Sequence, residues 1–326
     1  MAQMNLIQAI NNALLVEMER DERVVVLGED VGLEGGVFRA TEGLYQRFGP
    51  ERAIDTPLAE AGIVGTAIGM AIYGLRPVAE IQFDGFMPPA FDQIISHAAR
   101  LRWRSRGRYT VPLVIRAPYG GGIRALEHHS ESPEMFYVHT PGLKVVLPSN
   151  PHDAKGLLIA AIRDPDPVVF FEPKRIYRAF RQEVPEGDYA ILLGQAAIAR
   201  AGHDVTMISW GAQTQISLQA AETLAEREDV SVEVIDLRTL SPLDFETIAR
   251  SVEKTGRVVI AQEAPRIGSF SAELTALITE RLLLSLESPV VRVTGFDTAI
   301  PYFSMEQYYL PDAQRVARGV LQALRA

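Results

Sequence analysis

The residue with the clearest chemical potential is Glu60, a single carboxylate at the start of an otherwise apolar segment rich in small residues. Thr56 and Pro57 before it predict the first turn of a helix. A threonine can accept a bond from that turn, and proline costs nothing there. From Ala61 onward the composition predicts a helix buried on nearly every face. A buried glutamate in such a helix needs a partner or a catalytic task.

Three glycines inside the same predicted helix also require an explanation. Gly62, Gly65 and Gly69 each cost roughly 1 kcal/mol relative to alanine in a helix interior. We therefore expect a neighbouring helix or a ligand to approach this helix closely. Gly74 is placed as a glycine that ends a helix.

The histidine pair His128–His129 is a second group that could do chemistry, and it follows the glycine-rich loop at residues 117–124. Ser130 is a candidate N-cap for a helix that runs through Tyr137. A histidine at a helix N-terminus has its cationic form disfavoured, which suits proton transfer near neutral pH. An interface role stays open, whereas metal binding is disfavoured because no further His or Cys lies at ligand spacing. The loop glycines predict a backbone that moves or approaches another chain.

Alternating strands and helices position these groups. Val24–Leu27 is a continuous β-branched run, which predicts a strand buried on both faces of a parallel sheet, and the alternation continues to residue 171. Glu29 follows this strand, and Gln82 lies at the carboxyl end of a strand predicted over Pro77–Phe83. Loops at the carboxyl ends of strands are where α/β folds bind ligands. A solvated turn is the alternative reading of Glu29.

The chain changes character after residue 171. Residues 172–189 are charged and irregular and read as a linker, and beyond them the alternation of strand and helix restarts. We therefore predict an α/β domain over residues 1–180, a linker region over 181–200 and a smaller α/β domain over 201–326.

Composition limits the classes of function. The 326 residues are 47% hydrophobic and 22% charged, as in an ordinary globular protein. A formal net charge of −9 argues against nucleic-acid surfaces and anionic membranes as partners. Without cysteine there is no disulfide or thiolate chemistry. Neither a secretory signal nor an apolar run long enough to span a membrane is visible, so we expect a cytoplasmic protein.

Nine segments match one family in order and spacing. These segments are Gly28–Val31, Gly36–Arg39, Thr56–Gly65, Glu80–Phe83, His129–Glu134, Pro141–Val146, Asp153–Gly156, Glu172–Lys174 and Val234–Leu240. With them the sequence resembles the β subunit of the thiamine-dependent first component of a 2-oxo acid dehydrogenase complex, over essentially its whole length.

The resemblance implies a transketolase-like α/β fold, in which a pyrimidine-binding domain with a parallel sheet precedes a smaller transketolase C-terminal domain. It also implies two α and two β subunits, with each active site at an α–β interface. The α subunit would hold the diphosphate of thiamine diphosphate and its magnesium ion. In keeping with this, the chain has no Gly-Asp-Gly motif followed some thirty residues later by Asn; Gly187–Tyr189 is not that motif. The chain alone should be inactive.

The resemblance also assigns roles to residues. Glu60 would hydrogen-bond the aminopyrimidine ring nitrogen and favour the imino tautomer, whose nitrogen removes the thiazolium proton to give the ylide. Phe86 would pack on that ring, where branched-chain enzymes often carry tyrosine, although a plain core position is the alternative. Gln82 and Glu29 complete the implied thiamine-binding set.

His129 matches the β-subunit histidine associated with reductive acylation of the lipoyl group, and the surrounding motif favours it over His128. Glu131 stands where many relatives carry glutamine, which changes the charge beside this histidine. The family also binds a structural potassium ion, mainly through main-chain carbonyls. The matching positions are Leu113, Ala161, Ile162, Asp164 and Asp166, the last replacing a usual asparagine.

The implied activity is oxidative decarboxylation of a 2-oxo acid with acyl transfer to lipoamide on the complex's core acyltransferase. Residues 129–134 and 171–178 favour a branched-chain 2-oxo acid, while much of the remaining sequence also resembles pyruvate enzymes. Pyruvate and acetoin dehydrogenase β subunits are therefore the alternatives within the family. An alternative of a different class is a non-catalytic subunit that docks the acyltransferase through the C-terminal domain.

Overall fold

The computed structural model describes all residues from Met1 to Ala326 and consists of strands and helices in alternation. The strands are β1 (Ala2–Met4), β2 (Val24–Gly28), β3 (Ala53–Asp55), β4 (Arg76–Glu80), β5 (Val114–Tyr119), β6 (Lys144–Val146), β7 (Val168–Pro173), β8 (Gln182–Val184), β9 (Ala197–Arg200), β10 (Val205–Ser209), β11 (Val232–Asp236), β12 (Thr239–Ser241), β13 (Val258–Ala261) and β14 (Val291–Val293). The α-helices are α1 (Leu6–Arg20), α2 (Leu44–Phe48), α3 (Glu60–Tyr73), α4 (Leu101–Arg104), α5 (Glu134–Val138), α6 (Pro151–Arg163), α7 (Ala212–Glu228), α8 (Phe245–Thr255), α9 (Phe270–Leu282), α10 (Glu306–Tyr309) and α11 (Ala313–Arg325).

The first α/β unit is built on a seven-stranded sheet in the order β12-β6-β7-β5-β4-β2-β3. All neighbours are parallel except β12, which pairs antiparallel with β6. Successive strand residues face opposite layers, so that Val114 packs in the cluster of α1 and α6 while Ile115 packs in that of α3. The sheet is thus buried on both faces, as the β-branched runs predict, and the expectation of a parallel α/β sheet is confirmed.

The second unit is smaller and has a five-stranded sheet in the order β14-β13-β10-β11-β9. Only β9 runs antiparallel to its neighbour. The largest apolar cluster contains side chains of both units, among them Tyr137 and Phe171 of the first and Trp210 and Phe270 of the second. The two units therefore share a core, and through β12 they also share a sheet. No helix has the length and apolar character needed to cross a membrane.

Helix α3 begins later than the sequence predicts. Its N-cap is Ala59, which offers no side-chain hydrogen bond, and Thr56 and Pro57 lie before the helix. The N–H of Thr56 donates to the carbonyl of Gly28 at 3.0 Å, which keeps this segment extended beside the end of β2. The Thr56 hydroxyl is buried without a hydrogen-bond partner. The prediction of a threonine cap with proline in the first turn is therefore wrong.

One face of α3 is open in the single chain. Gly62, Thr66, Gly69 and Ile72 are exposed, and Tyr73 is 90% exposed. A Cβ added at Gly69 would meet no atom within 4 Å. The expectation that this helix is buried on nearly every face is wrong for the chain by itself, because nothing in the chain covers that side.

The region predicted as a linker over residues 181–200 is ordered and contains two strands. Residues 182–184 form β8, which pairs with β1, and residues 197–200 form β9 of the second sheet. Lys155, buried on α6, donates to the carbonyls of Glu186 and Gly187 at 2.9 and 2.7 Å. Separately, the segment from Pro88 to Arg104 consists of a 3₁₀ turn, a π-helical segment and α4.

Candidate active site

The carboxyl ends of the parallel strands gather the predicted polar residues at one edge of the sheet. Glu29 directly follows β2, Gln82 lies two residues beyond β4, and Glu60 opens the helix that follows β3. The Gln82 amide nitrogen donates to the Asp30 carboxylate at 3.1 Å and lies 3.5 Å from the Glu29 carbonyl oxygen. The structure therefore places the predicted polar residues on one side of the sheet, where α/β folds bind ligands.

Glu60 is a buried carboxylate without a partner in its own chain. The residue is 9% exposed, and its carboxylate forms no hydrogen bond or ion pair with another residue of the chain. Burial, followed by the negative charges of Glu60 and Asp30, raises the pKa of Glu29. A pocket that holds two largely buried carboxylates and no paired cation is expected to take a hydrogen-bond donor from outside the chain.

The loop after β2 is held in shape by the last residue of β3. The Asp55 carboxylate accepts the N–H groups of Gly32 and Leu33 at 2.6 and 3.0 Å. Gly36 has φ +79°, and a Cβ there would lie 3.3 Å from a carboxylate oxygen of Glu80. The loop thus lies closely over the end of β4, which fixes the wall of the site beside Glu29.

An aromatic group containing the predicted histidine adjoins these carboxylates. The ring of His129 stacks on Phe83 with centroids 4.0 Å apart, and Phe86 meets it edge-on at 5.0 Å. Phe83 is the neighbour of Gln82 in sequence, so the histidine lies near the carboxyl end of β4. Burial, and then the charge of His128, lowers the pKa of His129. The Nδ1 atom of His129 is buried and has no hydrogen-bond partner.

The histidines do not begin an α-helix as predicted. They lie in a 3₁₀ turn over Glu127–His129, and α5 starts only at Glu134, after Pro133. The Ser130 hydroxyl donates to the Leu126 carbonyl at 3.1 Å instead of capping a helix. The pKa of His129 is therefore lowered by burial and by His128, and not by a helix dipole.

Gly85 determines how closely the histidine turn packs on the end of β4. A Cβ at this position would lie 1.6 Å from the carbonyl oxygen of His128, a distance that no side chain tolerates. We expect Gly85→Ala to destabilise the chain by about 1–3 kcal/mol through overpacking, measured by urea unfolding. Gly187→Ala is the matched control because a Cβ there meets nothing within 4 Å. Equal stability of the two variants would contradict this packing.

Two groups of buried ion pairs involve the end of β4 and the residues that follow it. Arg116 on β5 pairs with Glu80 and donates to Glu172 at 2.6 and 2.8 Å, and Lys174 donates to Asp84 at 2.8 Å. Burial raises the pKa of Asp84 to about 6 against the opposing charge of Lys174. Sequence reasoning missed these pairs. Their signal is a charged residue inside an otherwise apolar strand, as Arg116 is in β5.

The glycine-rich loop packs on the second unit of its own chain. The Gly121 N–H lies 3.3 Å from a carboxylate oxygen of Glu263. Gly122 has φ +97°, and a Cβ there would lie 2.6 Å from the Arg175 side chain. These glycines thus allow a close approach within the chain, and a role in mobility or in contact with another chain stays a prediction.

The five positions matched to a potassium site lie near the amino-terminal ends of the strands, opposite the end that carries Glu60. Leu113 precedes β5, the other four lie at the end of α6 or between it and β7, and the Leu113 carbonyl accepts the N–H of Val168 at 2.9 Å. The Arg76 guanidinium donates to the carbonyls of Ile162 and Asp164 at 2.8 and 3.3 Å. Each carbonyl keeps a second lone pair, so the donor set is compatible with a hard cation.

The other charges at that edge are paired. The carboxylate of Asp164 binds Lys144 and that of Asp166 binds Arg102, each at 2.5 Å. No group of three or more His, Asp or Glu side chains in the chain is arranged to hold a metal ion.

Fold and site together define a two-domain chain of the transketolase kind. The family model of the transketolase pyrimidine-binding domain matches residues 2–179, and that of the transketolase C-terminal domain matches residues 194–316. A solved chain described as a split-gene transketolase, inactive β4 tetramer, superposes with a TM-score of 0.81 at 25% identity and covers 99% of both chains. The predicted transketolase-like fold is therefore confirmed.

Curated relatives narrow the family. The pyruvate dehydrogenase E1 component subunits beta of Acholeplasma laidlawii and Bacillus subtilis are 52% and 53% identical; they align with 100% and 99% of this chain and 99% and 100% of their own lengths. A mitochondrial 2-oxoisovalerate dehydrogenase subunit beta of Dictyostelium discoideum is 53% identical over 95% of this chain and 83% of its own length. The chain belongs to the family of β subunits of the thiamine diphosphate-dependent first component of 2-oxo acid dehydrogenase complexes.

Proposed function

We propose that this chain, paired with an α subunit, catalyses oxidative decarboxylation of a 2-oxo acid and acyl transfer to the lipoyl group of a core acyltransferase. The observation that carries the proposal is Glu60, a buried carboxylate without a partner in its own chain at the ligand edge of the sheet. Bound thiamine diphosphate supplies the electron sink for decarboxylation. Its aminopyrimidine ring offers the hydrogen-bond donor that Glu60 lacks.

The pocket residues divide the binding of that ring. Glu60 would accept a hydrogen bond from the ring nitrogen in its protonated form, and its charge would be most effective once the bound cofactor excludes water from it. Phe86 is half-buried and would pack on the ring face. Gln82 fixes Asp30 and the loop beside Glu29, which closes the pocket wall.

His129 serves the second half of the reaction. As the acyl group bonds to one sulfur of the lipoyl disulfide, the S–S bond breaks and the other sulfur takes a proton. Two electrons from the decarboxylated substrate balance this reduction. His129 donates that proton. A lowered pKa makes the imidazolium a stronger acid and at the same time a less populated form at neutral pH, and stacking on Phe83 holds the ring in place.

The second half of the active site belongs to the α subunit. This chain offers neither a diphosphate-binding motif nor a set of metal-binding side chains, so the α subunit holds the diphosphate and magnesium. The open face of α3, with Ile72 and Tyr73 exposed beside its glycines, supports close packing against another subunit. We extend the proposal to two α and two β subunits. A potassium ion at the carbonyls near Leu113 and Asp164 would have a structural role only.

Reconstitution with the α subunit tests whether this chain holds only half of the active site. The isolated chain should release no CO₂ from a 2-oxo acid with thiamine diphosphate and magnesium, because only part of the cofactor site is present. Addition of the α subunit should restore the activity, measured with an artificial electron acceptor. The similar split-gene transketolase chain is likewise described as an inactive β4 tetramer. Full activity of the isolated chain would overturn the half-site, and no gain with the α subunit would favour the non-catalytic docking role.

The substrate is the finer part of the proposal. The branched-chain preference stays a prediction, because a relative named for pyruvate and one named for 2-oxoisovalerate are both 53% identical in sequence to this chain. Rates of the reconstituted pair with pyruvate, 2-oxoisovalerate and acetoin separate the three possibilities. A higher kcat/KM for 2-oxoisovalerate than for pyruvate would support the branched-chain assignment, and the reverse would replace it with pyruvate.

A further inference from the structure

The loop that carries His129 is closed at its ends. The N–H of Gly120 donates to the Glu131 carbonyl at 2.8 Å, where the loop begins and ends. The N–H of His129 donates to the Leu126 carbonyl at 3.0 Å, which forms the histidine turn. Between these contacts the middle of the loop, residues 122–124, is exposed. The position of the loop therefore depends on the side chains that contact residues 122–124.

Glu306 supplies that contact from the second unit. It opens α10, is 4% exposed, and its two carboxylate oxygens accept the N–H groups of Gly122 and Arg124 at 2.7 and 3.0 Å. Charge-assisted bonds of this kind are roughly twice as strong as neutral ones. The main-chain carbonyl of Glu306 accepts the N–H of Leu310 at 3.1 Å, which fixes the turn of α10.

Close packing makes this contact specific. Gly121 directly precedes the first of the two bonded N–H groups, and a Cβ there would come within 3.1 Å of Leu310 and 3.3 Å of Glu306. A side chain at this position would therefore have to shift the side chains of Leu310 and Glu306 by a few tenths of an ångström. Glu263 adds a weaker contact to Gly121 on the same side.

We propose that Glu306 is a positioning residue that holds loop 120–131 so that His129 meets the lipoyl group in acyl transfer. The inference rests on the proposed role of His129. Glu306 itself touches only backbone N–H groups of the loop, so its effect on the reaction passes through His129. A misplacement of about 1 Å in a reacting group can cost on the order of 100-fold in rate.

The test uses the chain assembled with its α subunit and Glu306→Gln. Glutamine keeps the size but turns an NH₂ donor toward one of the two loop N–H groups. We expect kcat for acylation of a free lipoyl domain to fall by about 10- to 100-fold with KM little changed. Decarboxylation with an artificial acceptor should stay within about twofold, because the Glu60 pocket does not include this contact. Amide exchange in residues 120–126 should become faster.

Three further variants make the outcome decisive. Glu222→Gln, an exposed glutamate on α7, is the matched control and should change neither half-reaction. Glu306→Asp keeps the charge and should recover part of the acylation rate. His129→Asn should abolish acylation; if it does not, the proposed function fails. If His129→Asn abolishes acylation but Glu306→Gln spares it, or lowers both half-reactions equally, the positioning role is wrong.

Discussion

Replacing Glu60 with glutamine should lower the decarboxylation rate of the assembled enzyme by a factor on the order of 10²–10⁴, the usual contribution of a positioned acid–base group. Glutamine has the shape of glutamate but no charge, so it cannot favour the protonated ring nitrogen of the cofactor. The same variant should slow deuterium exchange at the thiazolium carbon, measured by NMR after acid quench. Glu60 is only 9% exposed in the single chain, so a bound cofactor would leave little room for water to replace its charge.

Glu51→Gln provides the control for this experiment. Glu51 is an exposed glutamate of the same unit and should leave both the rate and the exchange unchanged. Binding of the cofactor to the Glu60→Gln enzyme should weaken as well, which calorimetry can report separately from rate. If exchange at the thiazolium carbon proceeds at the normal rate in Glu60→Gln, this residue does not hold the ring.

The second large effect is expected on stability. Arg116→Met should destabilise the chain by about 3–5 kcal/mol, because Glu80 and Glu172 would both remain buried without a counter-ion. Burial already raises the pKa of Glu80 with Arg116 in place. The hydroxyl of Tyr177, which donates to Glu172 at 2.6 Å, cannot replace the lost charge. Urea unfolding followed by circular dichroism measures the loss.

Two comparisons separate burial from charge. Arg23→Met removes a pair between an arginine side chain that is 59% exposed and Asp21, and should cost less, about 1 kcal/mol, because solvent screens the arginine. A triple variant, Glu80→Gln, Arg116→Met and Glu172→Gln, should recover much of the lost stability because no unpaired charge stays buried. A loss at Arg116 as small as that at Arg23 would show that the three buried residues are not coupled as the structure places them.

Local composition predicts the central strands well and the edge strands poorly. Val24–Leu27 and Val205–Ser209 are continuous apolar or β-branched runs that fit only a strand covered on both faces. By contrast, β12 has three residues, and its partner β6 lies about a hundred positions earlier in the chain. Such short strands exist because of tertiary pairing, which no local pattern encodes. The exposed side of α3 could not be predicted for a related reason, since its burial depends on whether a second chain covers it.

Some residues of the site could likewise be predicted from the sequence, and others could not. Glu29, Gln82 and Glu60 follow from their positions after predicted strands, since the carboxyl edge of a parallel sheet collects such residues. Glu306 could not be found in this way, because it lies in a helix of four residues at the far end of the chain. Its partners are backbone N–H groups, which leave no trace in side-chain patterns. The glycines of the 120–124 loop are the indirect signal.

The strand β12 has a mechanical consequence. It leaves the second unit, pairs with β6 in the first sheet and returns to α8, so the two units are fastened by a sheet ladder and by a common core. A chain joined in this way has no hinge between its halves. The cofactor pocket therefore cannot open by rotation of one unit away from the other. Under the proposed function, entry and exit of ligands would instead depend on a subunit interface beside Glu60 and on movement of loop 120–131.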